Sequence, residues 1–201
     1  MKKKGFLITI AAPSGSGKST ILSKVMERLP HIQYSISHTT RKPRGEEKDG
    51  VAYFFTEESD FLSKRDAGFF LESAKVHNNW YGTSKQFIED TLEKANHVIM
   101  DIDVQGVAQI RNLGVDIVSI FILPPSYSVL KQRLIDRKTD SPEQIEQRLE
   151  NSKKEIDRLN EYDYLVINDS LDSAVECVIN IIQAEENKVK RFSKILDDFY
   201  N

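Results

Sequence analysis

Apolar runs alternate with helical patterns along most of the chain. The short apolar runs lie at 6–12, 98–102, 116–122 and 164–168. Runs of this length and composition are typical of strands that are buried on both faces. Apolar positions at helical spacing predict helices at 18–29, 104–112, 126–137, 142–160 and 171–185. Regular alternation of strands and helices is typical of a parallel sheet with helices on both faces. The pattern therefore predicts an α/β fold of that kind.

Two stretches interrupt the alternation. Within 34–78 a polar turn at 41–50 precedes a predicted strand at 51–55, a predicted helix at 57–67 and a predicted strand near 69–76. We interpret this region as an inserted, partly β subdomain. In the second stretch, Ser141 and Pro142 have the pattern of a new helix start, which predicts a helical hairpin. One domain is expected, with its core at 5–36, 84–125 and 149–185, insertions at 37–83 and 126–148, and a C-terminal tail at 186–201.

Charged residues lie at both ends of the chain. Lys2, Lys3 and Lys4 precede the run at 6–12, which is too short for a signal peptide, so we expect a mobile tail leading into a buried strand. Residues 186–201 are charged with scattered apolar positions and predict a terminal helix. No apolar stretch is long enough to span a bilayer.

The composition of the chain limits the kinds of molecule that it is expected to bind and the compartment in which it is expected to work. The 28 basic and 31 acidic residues leave a formal charge of −3, which excludes a general basic field for nucleic acid or an anionic membrane. Cys177 is a lone cysteine that cannot form an internal disulfide, so we expect a cytoplasmic protein. The four histidines lack metal-ligand spacing, and we expect none to bind a structural metal. Monomer and homodimer both remain open.

A glycine-rich loop follows the first predicted strand. Its residues are Pro13, Ser14, Gly15, Ser16, Gly17, Lys18, Ser19 and Thr20. A strand, such a loop and then a helix form the setting of a phosphate-binding loop, in which backbone N–H groups surround an anion. Lys18 is then expected to reach the β- and γ-phosphates, and the Ser19 hydroxyl to bind Mg²⁺. Ala12 stands where the strict pattern has glycine, and it fits easily only at negative φ; a purely structural turn is the alternative.

Two carboxylates follow the strand predicted at 98–102. Asp101 and Asp103 are two residues apart, which places them on one face where the strand ends. In an open parallel sheet ligands bind at that edge. Asp101 is the better candidate for the Mg²⁺ shell, whereas Asp103 has a helix N-cap as its alternative role.

A third segment, SHTTRKPRGE at 37–46, completes a combination of motifs. Together with the phosphate loop and DIDVQG at 101–106, it makes the chain resemble the guanylate kinases from about residue 5 to 185. The resemblance implies ATP-dependent phosphorylation of GMP to GDP, and of dGMP to dGDP, with Mg²⁺, in purine nucleotide metabolism. It also implies that the insertion at 37–83 binds GMP and that the insertion at 126–148 is a lid.

The resemblance implies roles for individual residues. For the GMP phosphate these are Arg41, Arg44, Tyr53 and Tyr81; Ser37 is assigned to the guanine or its surroundings, and Gly82 to the GMP site as a whole. For the guanine edge they are Glu72, Thr83 and Asp103, and for ATP and the lid they are Arg133, Arg137, Arg148 and Asn168. Lys18, Arg41, Arg137 and Arg148 are expected to carry the transition-state charge, and no catalytic base is expected because the acceptor phosphate is already ionised.

Physical chemistry supports these roles and also offers plainer ones. Arginine forks and tyrosine hydroxyls suit a dianionic phosphate, and a carboxylate can accept from both N1–H and N2–H of guanine. Read alone, Arg41 and Arg44 are equally typical of a solvated loop, and Glu72 of a surface strand. The lid arginines are also typical of a helix surface.

Two other functions would share part of this pattern of motifs. A P-loop kinase that acts on a sugar phosphate would not need the guanine-reading residues. A non-catalytic protein-interaction module of the same fold would not need an intact phosphate loop.

Overall fold

The computed structural model describes residues 2–76, 78–102, 104–136, 140–193 and 195–200. In chain order the strands are β1 Lys2–Lys3, β2 Leu7–Ala11, β3 Ile32–Tyr34, β4 His38–Thr39, β5 Phe54–Phe55, β6 Phe70–Val76, β7 Asn79–Ser84, β8 His97–Met100, β9 Ile117–Leu123, β10 Tyr164–Ile167 and β11 Phe192–Ser193. The α-helices are α1 Lys18–Arg28, α2 Glu58–Asp66, α3 Lys85–Glu93, α4 Val104–Asn112, α5 Tyr127–Asp136, α6 Pro142–Ile156, α7 Leu171–Glu186 and α8 Ile195–Tyr200.

A five-stranded parallel sheet with the order β10-β9-β2-β8-β3 forms the centre of the molecule. All five residues of β2 are buried, and successive side chains point to opposite faces. Ile8 and Ile10 belong to an apolar cluster with helices α1 and α7. Leu7 belongs to a second cluster, with residues of α3 and α4. Helices therefore cover both faces, and the predicted α/β fold is confirmed.

A smaller four-stranded sheet has the order β5-β4-β7-β6. Strand β7 pairs antiparallel with both β4 and β6, whereas β4 and β5 are parallel. The rings of Phe61 from α2 and Phe70 from β6 stack at 4.5 Å, and Phe61 is fully buried. The strand expected at 51–55 was too long, because only Phe54–Phe55 pairs as a strand, with β4.

Helices α5 and α6 form the predicted hairpin. Ser141 starts α6 with a complete capping box, in which its hydroxyl accepts from Gln144 N–H and the Gln144 side chain accepts from Ser141 N–H. Leu130, Leu134 and Leu149 form the apolar seam of the hairpin. This seam is a small core of its own, beside the main sheet.

The two ends of the described chain differ from expectation. Lys2–Lys3 is not a free tail, because it pairs antiparallel with Phe192–Ser193. The terminal helix expected over 186–201 was wrong as one element: a short 3₁₀ turn, strand β11 and the six-residue α8 replace it. Arg191 packs 4.0 Å above the Phe6 ring and bonds to Glu185, which ties this segment to the core. Among the described residues, no helix is long and apolar enough to cross a membrane.

Candidate active site

A cleft of ≈ 260 Å³ opens at the carboxyl ends of β2 and β8, between the two sheets. Its walls are formed by Lys18, Ser37, Tyr53, Glu72, Ala74, Val76, Tyr81, Asp101 and Ile102. Lys18 opens helix α1 and Asp101 follows β8 of the parallel sheet, whereas Tyr53, Glu72 and Tyr81 come from the smaller sheet and its loops. The structure therefore brings residues of three separate sequence motifs into one cavity.

The phosphate loop has the backbone that its glycines predict. Gly15 and Gly17 have φ angles of +96° and +86°, a region that other residues rarely adopt. Asn168 donates from Nδ2 to Ser16 O at 2.7 Å, and a Cβ on Gly17 would lie 2.6 Å from the same nitrogen. Asn168 therefore braces the loop, a contact that the sequence does not reveal. Ala12 presents no difficulty, since positive φ among the described non-glycine residues occurs at Asn78 and Ala95.

Lys18 forms an ion pair with Asp101 across the cleft. Asp101 directly follows β8, and Lys18 is the first residue of α1. The hydroxyl-bearing Ser19 is exposed at the next position of α1. Carboxylate and hydroxyl oxygens are the hard ligands that Mg²⁺ prefers, and both stand beside the phosphate loop. The residues present therefore fit an Mg²⁺ ion accompanying a bound nucleotide.

Arg41 is held by Glu47, a residue that sequence reasoning missed. The Arg41 Nη2 atom donates to Glu47 Oε1 at 2.9 Å, while Glu47 Oε2 accepts from Arg44 N–H at 2.8 Å. This hydrogen bond raises the pKa of Arg41, and it also lowers the pKa of Glu47. Arg41 is 9% exposed, so its alternative role in a solvated loop is wrong, whereas Arg44 is exposed. An acid three residues after Arg44 was the available signal.

Aromatic rings surround the Arg41 guanidinium. Its Cζ lies 5.1 Å from the Tyr53 ring centre, and the Tyr53 and Tyr81 rings are 6.0 Å apart. Burial, together with the nearby Asp101 charge, raises the pKa of Tyr53. The Tyr53 hydroxyl therefore stays protonated at neutral pH and remains a donor. This set of donors suits a phosphate dianion.

Glu72 is buried, which makes its alternative role as a surface strand residue wrong. It is 5% exposed and faces Thr83 across β6 and β7, where Thr83 Oγ1 donates to Glu72 Oε1 at 2.6 Å. Gly82 lies beside Thr83, and a Cβ there would stand 3.0 Å from the rings of Phe61 and Phe70. Packing against these rings explains the glycine at 82.

Two arginines of the hairpin point towards the phosphate loop. Arg148 donates to Ser14 Oγ at 3.0 Å and pairs with Asp140 at 3.2 Å. Arg133 donates to the backbone O of Asn168 at 3.1 Å. A Cβ on Gly15 would lie 3.2 Å from the Leu134 side chain, so the apolar seam also rests against the loop.

Two predicted site residues, Asp103 and Arg137, lie outside the described residues. Among the described residues of the hairpin, Arg148 bonds to the phosphate loop at Ser14, and Leu130 and Leu134 lie beside the point where a Cβ on Gly15 would stand. Arg133 bonds instead to the backbone of Asn168, the residue that braces the loop. The roles predicted for Asp103 and Arg137 stay predictions.

A polar cluster that the sequence did not reveal lies at the opposite edge of the sheet. His31 and His97 approach the same Glu186 oxygen with their Nε2 atoms, at 2.8 and 3.0 Å. Geometrically the three could hold a metal ion. However, His97 Nδ1 accepts from Phe6 N–H at 3.3 Å, so the ring proton of the neutral form lies on Nε2. A metal ligand needs the lone pair of that nitrogen, and the cluster is therefore better suited to hydrogen bonding.

The fold and the cleft together define a P-loop phosphotransferase of nucleotide type, with an anion-binding loop at a parallel sheet edge and a second polar subsite facing it. The guanylate kinase family model matches residues 4–185. The chain belongs to the guanylate kinase family.

Known proteins of this family resemble the chain over most of its length. A guanylate kinase of Thermotoga maritima is 40% identical over 196 residues, which covers 98% of this chain and 95% of the relative. One from Hahella chejuensis is 48% identical over 182 residues, covering 90% and 88%. The crystal structure of guanylate kinase from Anaplasma phagocytophilum matches with a TM-score of 0.81 at 30% identity, covering 98% of this chain and 94% of that one.

Proposed function

We propose that the cleft catalyses in-line transfer of the γ-phosphoryl group of ATP to a phosphate oxygen of GMP, giving GDP. The observation that carries the proposal is that Lys18 and Glu72 line the same cavity, one beside the phosphate loop and the other on the smaller sheet. ATP phosphates are assigned to the loop at 13–20, with Arg133, Arg137 and Arg148 of the lid. GMP is assigned to the subdomain at 37–83, with its phosphate near Arg41, Arg44, Tyr53 and Tyr81.

Phosphoryl transfer of this kind needs positioning and charge neutralisation more than proton transfer. The acceptor oxygen belongs to a phosphate whose second pKa is about 6, so at neutral pH it is ionised and needs no general base. Lys18 would leave Asp101 and bind the β- and γ-phosphates. Arg41, already oriented by Glu47, would hold the acceptor in line.

Mg²⁺ would be held by Ser19 and Asp101, and when bound it would neutralise charge on the ATP phosphates. Asp101 pairs with Lys18 in this structure. Movement of Lys18 to the ATP phosphates would free the Asp101 carboxylate for Mg²⁺, so that binding of the nucleotide and binding of the metal ion would be coupled. A cytoplasmic location suits a chain with a single cysteine.

A substrate panel tests the proposal. With Mg-ATP, we expect the purified protein to phosphorylate GMP rapidly, AMP much more slowly and a sugar phosphate not at all. The control is Lys18→Ala, which should lower kcat by a factor of about 10³ or more with an unchanged circular dichroism spectrum, because Lys18 acts on transferred charge and lies outside the core. Preference for a sugar phosphate would contradict the proposal, as would turnover that survives in a folded Lys18→Ala variant.

A further inference from the structure

The helix α4 approaches Glu72 more closely than any side chain at position 106 would permit. A Cβ on Gly106 would stand 2.9 Å from Glu72 Oε2 and 3.3 Å from Glu72 Cδ. A methyl carbon and a carboxylate oxygen that are not bonded do not come that close, so an alanine at 106 requires something to move. The atom in the way is the end of a side chain, and the cheapest adjustment is displacement of the carboxylate.

The other oxygen of Glu72 limits where the carboxylate can go. Oε1 accepts from Thr83 Oγ1 at 2.6 Å, and Thr83 is fully buried on β7. Ile102 Cβ would lie 3.3 Å from the same Cβ on Gly106, so a side chain at 106 is crowded from a second direction as well. The carboxylate is therefore held between Thr83 on one side and the bare backbone of Gly106 on the other.

One turn further along α4, Gln109 fixes the strand that carries Glu72. Its side-chain Oε1 accepts from Ser73 N–H at 3.2 Å, and its Nε2 donates to Ser73 O at 3.0 Å. Gly106 and Gln109 are three residues apart and share a face of the helix. The Gln109 side chain, on a helix that packs against the parallel sheet, thus bonds to both the N–H and the C=O of Ser73, the residue next to Glu72.

We propose that Gly106 and Gln109 are positioning residues for base recognition. Gly106 leaves the space that the Glu72 carboxylate occupies, and Gln109 fixes the position of β6, the strand that carries Glu72, relative to α4. The inference rests on the proposed function, because it concerns how Glu72 is presented to guanine. A carboxylate that must meet two N–H donors at once tolerates little displacement, since hydrogen bonds weaken steeply with distance and angle.

Kinetics of the Gly106→Ala variant test the first half. We expect kcat/KM for GMP to fall about 10- to 100-fold, with KM for ATP changed less than about twofold. The melting temperature should not fall with it, since alanine favours a helix more than glycine does. In a Glu72→Ala background the same Gly106→Ala change should have almost no effect on GMP kinetics, because the carboxylate that it displaces is gone.

Gln109→Ala tests the second half, with Asn112→Ala as the matched control at an exposed position of the same helix. We expect a fall of about 3- to 10-fold in kcat/KM for GMP from Gln109→Ala and none from Asn112→Ala. If Gly106→Ala does not fold, the Gln109 pair decides the matter by itself.

The outcomes separate the two levels of the proposal. Equal losses from Gly106→Ala in the wild-type and Glu72→Ala backgrounds would show an effect on the fold and overturn the inference. Unchanged GMP kinetics in both Gly106→Ala and Gln109→Ala would overturn it as well, while the proposed function stands. A wild-type protein that does not phosphorylate GMP would overturn the function first.

Discussion

A carboxylate that is 5% exposed requires hydrogen-bond donors, and Glu72 receives one from Thr83 in this structure. Guanine offers two further donors, N1–H and the exocyclic amine, on a single edge. Adenine offers an acceptor at N1 instead. Discrimination between the two bases can therefore depend on a single side chain whose charge and orientation are both fixed by its neighbours.

Glu72→Gln should damage GMP turnover selectively. The amide keeps the size of the side chain but turns one acceptor into a donor facing a donor of guanine. We expect kcat/KM for GMP to fall roughly 30- to 1000-fold, or about 2–4 kcal/mol, and the preference for GMP over AMP to shrink. Steady-state kinetics with both nucleotides measure this, and calorimetry should find ATP affinity nearly unchanged. GMP kinetics close to wild type would remove Glu72 from base recognition.

Single residues differ in how well the sequence predicted them. Gly15, Gly17 and Lys18 were predictable because a phosphate loop is a local motif with its own backbone requirements. Glu47 was missed, and Asn168 was expected beside ATP but not as a brace of the loop. Each acts through a partner brought to it by folding: Arg41 for the one and the Ser16 carbonyl for the other. Spacing along the chain does not encode such contacts.

Among the secondary-structure elements, those predicted for the main sheet and its helices were close to the observed ones, apart from α6, which ends at Ile156 and not at 160. The shortest strands of the smaller sheet were predicted poorly. Helices α1 and α7 fell within a residue or two of expectation because each buries a continuous apolar face. Strand β4, with two residues, exists only through its pairing with β5 and β7. Helix α3 had a recognisable start at Ser84, whose hydroxyl accepts from Phe87 N–H, but its position after an unrecognised strand concealed it.

The smaller sheet contains a pH-dependent element of its own. His38 of β4 is 8% exposed, stacks on Phe54 at 4.8 Å and has Phe69 and Phe70 at 5.3 and 5.4 Å. Burial, reinforced by the Lys64 charge, lowers the pKa of His38 to about 4. The unfolded chain, with a histidine pKa near 6.5, therefore binds more protons than the native state between about pH 6.5 and 4.

We accordingly expect the free energy of unfolding to fall by up to about 3 kcal/mol, because of His38, as the pH falls through that window. Above about pH 6.5 His38 is neutral in both states, and this loss does not occur. Urea denaturation of the wild type and of His38→Phe at several pH values measures the difference. The variant retains an aromatic ring among three phenylalanines but cannot titrate, so its stability should depend less on pH. His97 titrates in both proteins and cancels in the comparison. Parallel pH curves would contradict the assignment.

At the scale of the molecule, the cleft lies between two bodies of unlike construction: the parallel sheet on one side and the smaller sheet on the other. In the proposed function, arginines beside the smaller sheet and in the α5–α6 hairpin act on one phosphate chain. In this structure Arg41 bonds to Glu47 and Arg148 to Asp140. The Gln109–Ser73 contact joins the two bodies beside Glu72.

We therefore expect the insertions at 37–83 and 126–148 to move inward when both nucleotides bind. Small-angle scattering should show a smaller radius of gyration with a bisubstrate analogue than with the protein alone. A non-hydrolysable ATP analogue by itself, as the control, should produce only part of the change. A radius of gyration that stays constant at saturation would contradict closure.

The position of β2 has a consequence for biosynthesis. This strand is the first of the parallel sheet to leave the ribosome, yet its two neighbours are β8 and β9, which end at Met100 and Leu123. At translation rates of about 5–20 residues per second, β2 waits roughly 5 to 20 s for the second of them. Throughout that time LITIA, buried on both faces in the finished protein, is an unpaired apolar segment on a nascent chain. An unpaired apolar segment on a nascent chain is prone to aggregation. The central place of β2 in the sheet therefore carries a cost during synthesis that an edge strand such as β3 does not share to the same extent, since β3 has a single neighbour to wait for.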